Sequence, residues 1–215
     1  MLLSACSVSD VDSRVSDIVN PTVQVVIGDG DDYGSGVVLY VEKEGDEWVS
    51  YILTAYHVID SAVFEKKPIA VRWWVKGIIV ETHATVHFGS FKKDLAVLRV
   101  DRPAPGVAWV WNRDVLPWTF TDAYIGGIGA LQIPIPTKGE VSAYIDGGIL
   151  TSAHANPGYS GSALYAWSNG HWRVIGLIRG VGYQNGDLLY HLVFAIDWTT
   201  VSKWFEENNF DKLQK

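Results

Sequence analysis

About a dozen short runs of β-branched and aromatic residues, each bounded by turn-forming Gly, Asp or Pro, set the narrowest limit on what this chain can fold into. They span Val23–Ile27, Gly36–Val41, Trp48–Leu53, Ile69–Val75, Ile78–Phe88, Leu95–Val100, Val107–Trp111, Phe120–Ile125, Gly139–Leu150, Ala163–Trp167, Trp172–Ile178 and Leu188–Ile196. Strands this short and this frequent need one another's edges, so they predict an all-β sandwich or barrel. Helix signals sit only at the ends. Asp197 can cap a helix running to Asn209, because Trp198, Val201, Trp204 and Phe205 recur on one helical face. A weaker helix is expected from Asp10 to Val19, stopped by Asn20-Pro21. No repeat or linker marks a second domain. One β unit with terminal helices is the expectation.

Composition narrows the function more than the fold. With 17 Lys+Arg against 24 Asp+Glu, the formal charge of −7 argues against a nucleic-acid binder, which needs clustered cations. The single cysteine, Cys6, excludes an intrachain disulfide and a Cys-based zinc site. His83 and His87 lie close together but lack a carboxylate cluster to complete a metal site, so no metal is expected. The ten Trp fall largely in the strands and the last helix, where packing is their plainest use.

Cys6 closes the run Leu3-Ser4-Ala5-Cys6, which resembles the lipobox of bacterial lipoproteins, where the cysteine is lipidated. Such a signal carries a basic start and an apolar stretch of about 7–15 residues, and neither is present. Coincidence and a trimmed start are both open. A true lipobox would attach the protein to a membrane and place it in a bacterial cell envelope or periplasm; otherwise the location is undetermined.

Three segments carry chemistry together that none carries alone. In Tyr51-Ile-Leu-Thr-Ala-Tyr-His57, an apolar strand runs into a histidine on a single expected helical turn. In Lys93-Asp94-Leu95-Ala96-Val97-Leu98, a carboxylate opens an apolar strand. In Asn156-Pro157-Gly158-Tyr159-Ser160-Gly161-Ser162, two glycines flank a serine in a tight loop. A serine hydroxyl needs a histidine as general base, and that histidine needs a carboxylate on its other ring nitrogen. The Gly-x-Ser-x-Gly elbow of α/β-hydrolases is absent, since position 162 is Ser.

The order His57, Asp94, Ser160 and the three blocks around them resemble trypsin-like serine proteases, most nearly their bacterial HtrA-like branch. Ser35-Gly36-Val37-Val38, Val174-Ile175-Gly176-Leu177 and Phe194-Ala195-Ile196 extend the likeness over most of the chain. The resemblance implies two six-stranded antiparallel β-barrels with short terminal helices, residues 12–215 forming the protease domain and 1–11 a leader or lipoprotein signal remnant. It implies no cofactor, a protein or peptide substrate, and cleavage of peptide bonds through an acyl-enzyme. Ser160 would be the nucleophile, His57 the general base and Asp94 the orienting carboxylate, with the N–H groups of Gly158 and Ser160 forming the oxyanion hole. His154, Leu177 and Arg179 would line the substrate pocket, with His154 as an ordinary loop residue the alternative. Few residues follow the last helix, so no C-terminal peptide-binding domain is expected in this sequence.

Tyr159 departs from the pattern, since digestive relatives carry Asp before the nucleophile and HtrA-like ones usually Asn. The loop must then be held by something other than an Asp-driven activation switch. That departure keeps a second reading open, a catalytically inactive or weak relative using the cleft as a peptide- or protein-binding module.

Overall fold

The computed structural model describes residues 12–30, 32–112 and 115–210; Cys6 and its Leu3–Cys6 pattern lie outside them. Two closed barrels of six antiparallel strands make up the fold, as the resemblance implied. The first uses β1 (Thr22–Ile27), β2 (Asp32–Glu44), β3 (Glu47–Thr54), β4 (Ile69–Val75), β5 (Ile78–Ser90) and β6 (Leu95–Val100). Its order is β1-β2-β3-β6-β5-β4, closed by β1 against β4. The segment that follows carries β7 (Trp109–Val110). Ala108 N–H donates to Val38 O in barrel one, and Trp111 N–H to Val174 O in barrel two, so this connection is stitched to both.

Barrel two contains β8 (Asp122–Ile128), β9 (Pro134–Ile145), β10 (Gly148–Thr151), β11 (Ala163–Ser168), β12 (His171–Gln184) and β13 (Asp187–Asp197). They run β11-β8-β9-β10-β13-β12, with β11 against β12 closing the ring and β7 lying parallel on β12. Two helices complete the fold, α1 (Tyr56–Glu65) and α2 (Trp198–Glu207).

Alternation explains why these runs become barrel staves. In β4, Ile69, Val71 and Trp73 are buried while Ala70, Arg72 and Trp74 between them are less so. In β3 and β6 the burial is nearly continuous, with Ile52, Leu53, Leu95 and Leu98 fully enclosed. Each such side chain contributes about 1.5–3 kcal/mol relative to exposure. Hairpin registers are set at the turns. Asn185-Gly186 joins β12 to β13 with both residues at positive φ (54° and 100°), the backbone hand a two-residue hairpin requires.

Several local expectations are corrected. The run from Gly139 to Leu150 is two strands, because Asp146-Gly147 turns the chain with both φ positive. The strand expected from Phe120 starts only at Asp122, since Phe120 takes a φ of 66°. The weak first helix ends as a π-helical turn over Val15–Val19. Its buried Asp17 accepts the Trp172 N–H at 3.1 Å, which ties this segment to β12. Packing accounts for only part of the tryptophan content. Trp73, Trp111, Trp198 and Trp204 are buried, but Trp48, Trp109, Trp118 and Trp167 are exposed. The last helix forms as expected, with the Asp197 carboxylate accepting the Thr200 N–H at 2.7 Å. No helix among the described residues is long and apolar enough to cross a membrane.

Candidate active site

His57 and Asp94 emerge side by side because their strands are neighbours. β3 pairs with β6 with Thr54 opposite Ala96, so the residues just past the end of one strand meet those just before the start of the other. The helical turn expected at His57 is a ten-residue helix, α1. A helix start leaves its first N–H groups without intrahelical partners. One of these, the His57 N–H, donates to Asp94 Oδ1 at 3.0 Å. The His57 ring nitrogen Nδ1 lies 3.0 Å from both Asp94 oxygens. The carboxylate therefore holds the histidine by its backbone and its ring together.

Asp94 itself sits at a φ of 55°, in a turn where its N–H donates to Phe91 O at 3.2 Å. Its burial opposes ionisation. The two His57 hydrogen bonds, together with the charges of His57 and Arg179, outweigh that cost and hold the carboxyl below its ordinary range.

Ser160 comes from the loop between β10 and β11, and barrel one holds that loop in place. Ser160 O accepts the Ser35 N–H at 2.8 Å. Ser35 Oγ donates to Gly158 O at 2.7 Å and accepts the Ile128 N–H at 2.9 Å. Ser35 was legible only as part of a family-like strand. A fully buried serine between Gly34 and Gly36 is the signal of a backbone anchor that sequence reasoning passed over.

Tyr159 supplies the other anchor. It is 1% exposed, and its hydroxyl donates to Ile135 O at 2.7 Å. Its ring lies so close to Gly127 that a Cβ there would stand 2.7 Å from it. Burial pushes the Tyr159 phenol above its ordinary value. A neutral, hydrogen-bonded aromatic thus occupies the place where digestive relatives put a carboxylate. Tyr159→Phe removes that part-buried hydrogen bond to the Ile135 carbonyl. The expected cost is about 0.5–1.5 kcal/mol, read as a lower midpoint in urea unfolding, with the ring packing intact.

One cavity of about 190 Å³ is lined by His57, Gly158 and Ser160 together with Asp32, Tyr33, Val58, Asp60 and Ser61. Ser160 Oγ donates to Arg179 O at 3.5 Å, and among the described residues it forms no hydrogen bond to His57. The N–H groups of Gly158 and Ser160 likewise have no acceptor among the described residues.

The remaining pocket candidates lie elsewhere. His154 is exposed, its carbonyl accepting the Thr137 hydroxyl at 2.6 Å and its ring 5.8 Å from that of Tyr190. Leu177 is fully buried in β12, opposite Ala163 and Ile196. Neither borders the cavity that holds His57 and Ser160. Arg179 does not border it either, but its Nε lies 3.3 Å from Asp94 Oδ2. Among the described residues no group of three or more His, Cys, Asp and Glu is placed to hold a metal ion.

Two antiparallel barrels, with an Asp–His pair from one and a serine loop from the other at their junction, define the architecture of a trypsin-like serine peptidase. Residues 34–177 match the trypsin-like peptidase domain, and the chain belongs to that family. Among solved structures, the crystal structure of Deg5 is similar with a TM-score of 0.71 and 22% identity, covering 94% of this chain and 95% of that one. The serine endoprotease from Yersinia pestis is similar with a TM-score of 0.71 and 24% identity, covering 96% of this chain and 68% of that one. No curated protein matches the sequence.

Proposed function

We propose that the protein is a serine endopeptidase of the HtrA-like kind, cleaving peptide bonds through an acyl-enzyme on Ser160. The observation that carries this is a cavity shared by His57, Ser160 and Gly158, with Asp94 against Nδ1 of the His57 ring. Because the Asp94 carboxylate accepts the proton on Nδ1, the other ring nitrogen of His57 is left as a proton acceptor. For attack, the Ser160 hydroxyl must turn from the Arg179 carbonyl to that nitrogen. His57 then takes the hydroxyl proton as Ser160 Oγ bonds to the scissile carbonyl carbon. The resulting oxyanion is received by the N–H groups of Gly158 and Ser160, each donor of this kind contributing about 10²–10³ in rate. Collapse breaks the C–N bond, and His57 gives its proton to the departing amine. Water repeats the sequence on the acyl-enzyme, releasing the acid and restoring Ser160.

The partner this reading calls for is a protein or peptide substrate. Membrane attachment through Cys6 rests on the Leu3–Cys6 pattern alone. A second reading, a binding module with a silent site, is favoured by one observation: the Ser160 hydroxyl points to Arg179 O instead of His57.

A fluorophosphonate probe separates the two. The parent protein is expected to gain one adduct on Ser160 and to cleave an unfolded protein such as casein. Ser160→Ala is expected to gain no adduct and to lose cleavage by several orders of magnitude. Cleavage by Ser160→Ala at the parent rate would sink the assignment, and an unlabelled, non-cleaving parent would favour the binding module.

A further inference from the structure

The mechanism just described makes no use of the Arg179 side chain, yet this residue touches two members of the triad. Its guanidinium Nε lies 3.3 Å from Asp94 Oδ2, the same oxygen that stands 3.0 Å from His57 Nδ1. Its carbonyl accepts the Ser160 hydroxyl at 3.5 Å. The guanidinium side chain is 65% exposed, so water solvates it and it stays charged throughout the working range of pH. The Asp94 side chain, by contrast, is 11% exposed. A permanent cation at the rim thus shares a buried carboxylate with the proposed general base.

We propose that Arg179 is a positioning residue of the triad, holding back protonation of His57 by drawing on the Asp94 charge that would otherwise stabilise the imidazolium. The proposal rests on the peptidase reading for its catalytic consequence, but not for its electrostatic one.

Two effects act in the same direction. The imidazolium formed during attack is stabilised by the carboxylate on its Nδ1, and a guanidinium on that carboxylate offsets part of the negative charge. The guanidinium also repels the imidazolium directly. The other charged and titratable groups facing His57 do not supply this influence. Asp32 and Tyr33 from β2, and Asp60 from α1 itself, share its cavity, and the two aspartates favour protonation. Among the described residues Arg179 is the Lys or Arg in contact with Asp94. The family resemblance pointed to Arg179 only as a pocket residue after Leu177-Ile178, not as a partner of Asp94.

Arg179→Gln and Arg179→Lys test the proposal by two independent readouts. In kcat/KM against pH, Arg179→Gln is expected to move the acid limb upward by about half a unit to one unit, a size set by one screened, partly exposed charge. Arg179→Lys restores a cation and is expected to bring the limb most of the way back. The second readout needs no turnover: the His57 ring proton is titrated by NMR in Ser160→Ala, with and without Arg179→Gln. Its midpoint is expected to rise by the same half to one unit. A midpoint that stays in place overturns the proposal, whatever happens to kcat. So does a Gln variant whose kcat falls while its acid limb superimposes on the parent's, because Arg179 would then be only a brace. A midpoint that moves in a protein that neither cleaves nor labels supports the electrostatic role and counts against the peptidase reading instead.

Discussion

Replacing Asp94 by Asn is expected to lower kcat/KM by about four orders of magnitude while leaving the barrels folded. The reason lies in how many hydrogen bonds the carboxylate accepts. Asp94 Oδ1 takes the His57 backbone N–H, and both oxygens lie 3.0 Å from His57 Nδ1. An asparagine keeps one oxygen, and the α1 N–H claims it, because that donor has no intrahelical partner. The amide NH₂ then faces Nδ1, which must become the acceptor. The ring proton moves to the nitrogen that should receive the Ser160 proton, and the general base is blocked. Loss of the orienting carboxylate in sites of this kind costs about 10⁴ in kcat. Steady-state cleavage of a peptide, set beside thermal unfolding of the same sample, checks both halves. An Asn variant within tenfold of the parent would show that Asp94 does not orient His57.

Gly161→Ala is expected to destabilise the protein by about 4 kcal/mol or more, or to prevent folding outright. Gly161 follows Ser160 at a φ of 83°, a backbone state that L side chains rarely adopt. The added Cβ would also overlap Ser35 O and Thr54 Oγ1 and stand 2.9 Å from Ala55 N. Two of these three are backbone atoms, and the third is held by its hydrogen bond to Ser35 O at 2.7 Å. Nothing there yields like the tip of a flexible side chain. The clash falls on the seam that carries Ser160 on one side and the start of α1, with His57, on the other. Relief by parting the barrels would take apart the site along with the core. Guanidinium unfolding of whatever soluble protein is recovered measures the loss. A midpoint equivalent to less than about 1 kcal/mol of destabilisation would mean that the seam is not close-packed.

The contrast between these two positions shows what could be read before the fold was known. Asp94 was legible because a carboxylate ahead of an apolar strand, in fixed order with a histidine and a glycine-flanked serine, is a rare combination. Gly161 was legible only as turn material, because its neighbours Ser35 and Thr54 are over a hundred residues away in the chain. Tyr159 was recognisable as a departure but not as an anchor, since Ile135 O and the bare face of Gly127 meet it only across barrel two.

Strand content was written into the chain by local means. β-branched and aromatic runs, alternation in β4, and turn residues at the hairpins act over a few positions, so β4 and β6 coincide with their expected bounds. The boundaries that shifted were those set by single backbone conformations, as at Asp146-Gly147 and Phe120. The sequence by itself therefore determined an all-β chain and, through its family likeness, two barrels with three chemical residues in a given order. Tertiary structure alone decided that Leu177 is enclosed in β12, that Ser35 holds the serine loop, and that Arg179 shares Asp94 with His57. Those outcomes depend on which strand ends are neighbours in space. Contacts between distant segments follow from barrel closure and register, which no short window of residues encodes.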